Sequence, residues 1–203
     1  MKTKLIFGMA MTLCLATAVP VQAEDLDAKT SAIIKRDFRD KGIAKADRVN
    51  QDELQAACSK YMDDVPVDMK IKLEDEQLKT IKWPTDGNLM GNWKAGEKLA
   101  HSGKGMTWSD KAEDPAGGNC YNCHQLSSKE IAYGTIGPSL LNYAKKHGTP
   151  EKGQRRAYGR ISNAKAYAAC ANMPRFGHIG ILTETQIKDL VALLMDPESP
   201  VNK

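Results

Sequence analysis

The chain has 203 residues, 41% of them hydrophobic, and 29 basic against 25 acidic side chains give a formal charge of +4. That length holds one domain, or one domain with an extension. So even a charge balance gives no sign of a nucleic-acid-binding protein, which would concentrate basic charge.

Lys2 and Lys4 open the chain, Leu5 to Val19 runs apolar almost without interruption, and Val21-Gln22-Ala23 follows with small residues at cleavage-site positions. This is the pattern of a secretory signal peptide (residues 1–23), removed after Ala23. It predicts a periplasmic protein of a Gram-negative bacterium. A retained anchor fits less well, because the apolar run is short for a spanning helix. No later stretch is long and apolar enough to predict a membrane span.

The next segment, residues 24–90, is charged and helical in pattern, and predicts a helical extension packed on a following domain. A first helix is expected from about Asp27 to Lys41, with Ile33, Ile34 and Phe38 on one face and Gly42 as its stop. Asn50, with Glu53 three residues on, reads as the capping box of a second helix carrying Leu54, Ala57, Cys58 and Tyr61. A third is expected from Leu73 to Ile81, with Pro84 beyond its end.

A second region, residues 91–203, opens with Trp93, Gly96, Leu99 and Ala100, an amphipathic helix whose small residues permit a close helix crossing. A glycine-rich loop then leads to Cys120-Tyr121-Asn122-Cys123-His124. This is C-x-x-C-H, the attachment signature of a c-type haem. Two thiols at this spacing can each add to one porphyrin vinyl group, and the histidine that follows serves as proximal iron ligand. A zinc site would need a second Cys/His pair, which the chain lacks. A thioredoxin-like redox pair has no need of His124 and normally follows a strand.

Fourteen residues after His124, Pro138 in Ile136-Gly137-Pro138-Ser139-Leu140 offers a carbonyl in a rigid turn. It could accept from Nδ1–H of His124 and fix the ring. Residues 140 to 173 are basic and helix-prone, and one of Arg155, Arg156 and Arg160 could pair with a haem propionate. The last element runs from Thr183 to about Met195, with a Thr183/Gln186 capping box, a stripe of Ile187, Leu190, Val191 and Leu194, and Asp196-Pro197 as its stop. It is expected to pack on the helix at Trp93–Ala100. No β-alternation of any length is visible, so the fold class is all-α.

The sixth iron position is assigned to Met173, in Asn172-Met173-Pro174, a loop stiffened by proline ten residues before the last helix. His178 is the serious alternative; Met106 and Met195 fit poorly, and His101 and His147 read as surface or structural residues. Of five cysteines, Cys14 leaves with the signal peptide and Cys120 and Cys123 take the haem. Cys58 and Cys170 remain, in an oxidising compartment. An internal bridge would close a loop of about 110 residues and contribute on the order of 4–5 kcal/mol. A bridge to a partner chain and a free buried thiol stay open.

The run Asn119 to Gln125 with Tyr133-Gly134-Thr135-Ile136-Gly137-Pro138-Ser139-Leu140 resembles the SoxX family. So does Asn172-Met173-Pro174-Arg175-Phe176-Gly177-His178, with the final helix through Leu194-Met195-Asp196-Pro197-Glu198-Ser199-Pro200. The resemblance covers roughly Asn92 to the C-terminus. It implies a class I cytochrome c-like domain with one covalent haem c on Cys120 and Cys123, ligated by His124 and Met173. It further implies the electron-accepting subunit of an L-cysteine S-thiosulfotransferase. A SoxA-like partner would carry the catalytic haem, a SoxYZ-like carrier the substrate cysteine, and a small soluble cytochrome would take the electrons. A free-standing class I cytochrome c is the alternative.

Overall fold

The computed structural model describes residues 26–203, so the signal-peptide pattern lies outside the described residues. The chain divides into two units, Met1–Phe38 and Arg39–Lys203. The described part of the first holds helix α1, Leu26–Asp37. That helix stops four residues short of the expected end at Lys41. Lys41 and Ala44 instead exchange backbone hydrogen bonds at 2.9 and 3.0 Å, and Gly42, at φ +54°, makes the turn between them. The bonds that close this turn are incompatible with a helix continuing through Lys41.

The second unit contains α2 (Glu53–Lys60), α3 (Val67–Lys79), α4 (Trp93–His101), α5 (Tyr143–Lys146), α6 (Pro150–Ser162) and α7 (Glu184–Met195). Among the described residues there is no strand beyond the Lys41–Ala44 bridge, and the all-α class holds.

α7 is the axis of the larger core. Thr183 caps it, accepting from the Gln186 N–H while the Gln186 side chain accepts from Thr183, as the capping box predicts. Its stripe is buried, and so are Ala192, Leu193 and Met195, because other segments cover its remaining faces. α4 crosses α7 at backbone distance: a Cβ on Gly96 would sit 2.1 Å from the Asp189 carbonyl oxygen, and Ala100 is fully buried. The carbonyls left open at the end of α7 are taken up by the tail. Ser199 Oγ donates to Leu193 and Asn202 Nδ2 to Leu194 and Asp196.

A smaller core joins Leu54, Ala57, Cys58, Val65 and Leu73 to Ala169. The N-cap of α2 is Asp52, not Asn50: its carboxylate accepts from the Gln55 N–H, and Gln55 Oε1 accepts from the Asp52 N–H. α3 begins at Val67, six residues before the expected start, because Pro66 supplies a fixed φ at its boundary. Cys58 and Cys170 are disulfide-bonded, the first of the three readings the sequence left open. Asn163, fully buried, donates to Gln77 Oε1 at 2.9 Å and Thr80 Oγ1 at 3.0 Å, tying the end of α6 to α3.

Candidate haem site

The approach to Cys120 is laid along the end of α4. Gly118 N–H donates to the Leu99 carbonyl and Asn119 N–H to that of Ser102, both at 2.9 Å. Asn119 then takes φ +47°, a left-handed conformation that asparagine tolerates, and turns the chain into a single helical turn at Cys120–Asn122. Cys123 and His124 N–H groups fold back onto the Cys120 carbonyl at 3.0 and 2.9 Å. Residues 134–140 run beside this turn: Gly134 N–H donates to Tyr121, Gly137 to Cys123 and Leu140 to Gln125, at 2.9, 2.8 and 2.9 Å.

This second segment delivers the Pro138 carbonyl, 2.7 Å from His124 Nδ1. A carbonyl can only accept, so Nδ1 carries a proton and Nε2 is the ring nitrogen a metal would take. The backbone of Gly137 lies against the imidazole, and a Cβ there would come within 2.2 Å of Cε1. The Cys120 sulfur lies over Gly118, where a Cβ would be 2.9 Å away. Burial, with a smaller contribution from Cys123, pushes the Cys120 thiol up to about 12. An uncharged sulfur, thiol or thioether, suits that environment.

Met173 packs, half-buried, on the core that also takes up Cys120, Tyr121 and Leu140. It also lines a cleft of about 1210 Å³, with Met106, Ala116, Ile181 and Gln186 among its neighbours on the wall. This exceeds the roughly 300–1,000 Å³ of ordinary small-molecule pockets. Cys120, Cys123 and His124 form one tight group with Pro138; they are not part of the cleft wall. Of the rival ligands, His178 is engaged by Thr80, its Nδ1 3.0 Å from Oγ1, and burial with Arg175 lowers its pKa against the opposing pull of Asp52. Met195 is core filling against Gly153. Met106 remains on the cleft wall. His101 stacks on Tyr121 at 5.2 Å and His147 lies 4.1 Å from Tyr143, structural roles for both.

Arg160 supplies a further observation that bears on a prosthetic group. Its Nε is buried with no hydrogen-bond partner, and its guanidinium lies 5.2 Å from the Tyr167 ring. Burial, then repulsion by Arg156, lowers its pKa. A buried, open donor on a half-buried cation suits an anion, and a haem carboxylate is one. Arg155, by contrast, is spent over the Trp83 ring at 4.1 Å. Nothing in the sequence separates these arginines; the choice depends on which way each points from α6. The thiol pair, the held imidazole and the open Arg160 donor together fit a covalent haem.

An all-α fold built around a C-x-x-C-H turn, its histidine held by a proline carbonyl, defines a class I c-type cytochrome, which carries covalently bound haem c. Residues 112–196 form a cytochrome c domain, matched there by the family model described as Cytochrome c. The chain is 34% identical over 210 residues to an uncharacterized lipoprotein of Aquifex aeolicus (strain VF5), covering the whole of both chains. Among solved structures it is similar to the crystal structure of SoxXA from P. pantotrophus, at 26% identity and a TM-score of 0.38, over 53% of this chain and 82% of that one.

Proposed function

We propose that the chain is the electron-transfer subunit of a periplasmic SoxAX-type complex, in which Cys120 and Cys123 would hold one haem c and His124 and Met173 would ligate its iron. The haem, when bound, supplies a one-electron Fe(II)/Fe(III) couple. Every other part of the task belongs to the polypeptide. Pro138 holds His124 in one tautomer and orientation. A thioether from Met173 favours the reduced state relative to a second histidine. Arg160 offers charge to a carboxylate.

The single observation behind the relay reading is the His124–Pro138 bond, which leaves Nε2 as the ligating nitrogen within a C-x-x-C-H turn. With both His124 and Met173 on the iron no position is left for substrate, so the sulfur chemistry belongs on a partner chain. The assignment to a thiosulfate-conjugating complex rests on the sequence runs at residues 119–140 and 172–200. A docked subunit also suits the exposed Ile131 and Ile136 on the segment that follows His124. Export rests on the signal-peptide pattern, supported by the name lipoprotein borne by the Aquifex relative. Among the described residues no helix is long and apolar enough to cross a membrane.

Size-exclusion chromatography of the protein purified from its native cells tests this. It should elute as a heterodimer with a second, SoxA-like c-type cytochrome. A strictly monomeric protein with no co-purifying cytochrome would contradict the subunit reading and leave a free-standing carrier.

A further inference from the structure

Met173 stands in an irregular segment between the turn at Ala164–Ala166 and α7, where no helix or ladder fixes the backbone. Irregular segments of this kind open at low free-energy cost unless side chains tie them down. Here they are tied on both sides of the methionine. On the N-terminal side, Ala169 N–H donates to Glu74 Oε1 at 2.8 Å, and Cys170 is covalently joined to Cys58. Lys165 Nζ spans the stretch from within, donating to the carbonyls of Ala169 and Ala171 at 3.4 and 3.0 Å. On the C-terminal side, Arg175 Nη1 donates to Asp52 Oδ2 at 2.5 Å and to Gln77 Oε1 at 2.9 Å. Arg175 is 8% exposed, so its charge depends on those partners.

The outside partners have one thing in common. Cys58 is on α2, Asp52 caps α2, and Glu74 and Gln77 are on α3. We propose that α2 and α3 are a clamp on the ligand loop, with Asp52, Arg175 and the Cys58–Cys170 bridge as positioning residues that hold Met173 at the iron against displacement. This rests on Met173 being the sixth ligand. A methionine is a neutral, weakly held ligand, and an external base gains the iron in proportion to the fraction of time the loop is open. The clamp sets that fraction from residues that never touch the haem.

Imidazole titration of the oxidised holoprotein measures it, alongside the weak far-red charge-transfer band that marks Met–Fe(III) ligation. Asparagine caps a helix as well as aspartate does, so Asp52→Asn keeps α2 while removing the charge that Arg175 faces. It should raise the apparent imidazole affinity about tenfold, the worth of a charge-assisted hydrogen bond. The paired Cys58→Ser, Cys170→Ser variant should raise it further. Lys203→Ala, which breaks an exposed pair with Glu198, should leave it unchanged. If the wild type shows the Met–Fe(III) band but the clamp variants bind imidazole no better than it does, the clamp is overturned while the ligand assignment stands. A wild type without that band overturns the ligand assignment, and the clamp with it.

Discussion

His124 is held on two sides by neighbouring residues of one turn, Pro138 by its carbonyl and Gly137 by the absence of a side chain. The space over the ring is the more sensitive of the two. A Cβ at position 137 would lie 2.2, 2.5 and 2.7 Å from three ring atoms, and the ring cannot yield without losing the 2.7 Å bond to Pro138. Gly137→Ala should therefore cost about 1–3 kcal/mol, the range for forced overpacking. Calorimetry of the holoprotein would show this as a Tm lowered by several degrees, each kcal/mol being worth roughly 2–4 °C at this size. Cys120, Cys123, His124 and Pro138 are legible in the sequence because haem attachment forces its chemistry into five consecutive positions, and the proline follows at short range. Asp52, Glu74, Gln77 and Arg175 are not. Arg175 meets its partners across 123 and 98 residues, and no local pattern marks such a pairing. The one available signal is the place of Arg175, two residues after Met173.

At the scale of elements, α4 meets α7 at backbone distance. Gly96 is a helix-interior glycine, so alanine there gains about 1 kcal/mol of intrinsic helix propensity. Its methyl would also fall 2.1 Å from a backbone oxygen of α7, which no side-chain rotation relieves. Separating the two helices would loosen the fully buried Ala100 and Val191 between them. Overpacking wins, and Gly96→Ala should lose on the order of 1–2 kcal/mol net in urea unfolding. Both helices are legible in the sequence because their local signals agree: an apolar stripe and a stop in each, with a capping box added at α7. The start of α2 is not, since Asn50 with Glu53 and Asp52 with Gln55 offer the same spacing. The Arg175 contact adds a reason for Asp52 that the local pattern lacks. α3 exposes Val67, Met69 and Ile71. Its first half therefore shows no buried stripe, and Pro66 alone marks where it begins.

At the scale of the whole molecule, residues 39–203 carry two cores with different duties. The larger, around α4, α6 and α7, backs the Cys120–His124 turn. The smaller, around α2 and α3, reaches Ala169 and, through Cys170 and Arg175, brackets Met173. Composition and periodicity reveal the all-α class, but not that early helices would serve a loop about a hundred residues later. On the proposed ligation the chain is a relay, its iron closed by one ligand from each region. The optical spectrum of the oxidised, exported holoprotein, taken beside that of Met173→Ala, tests this most directly. The wild type should be low-spin with the far-red Met–Fe(III) band, and the variant should lose that band while keeping its covalent haem. High-spin iron in the wild type, or a band that survives in Met173→Ala, would contradict it.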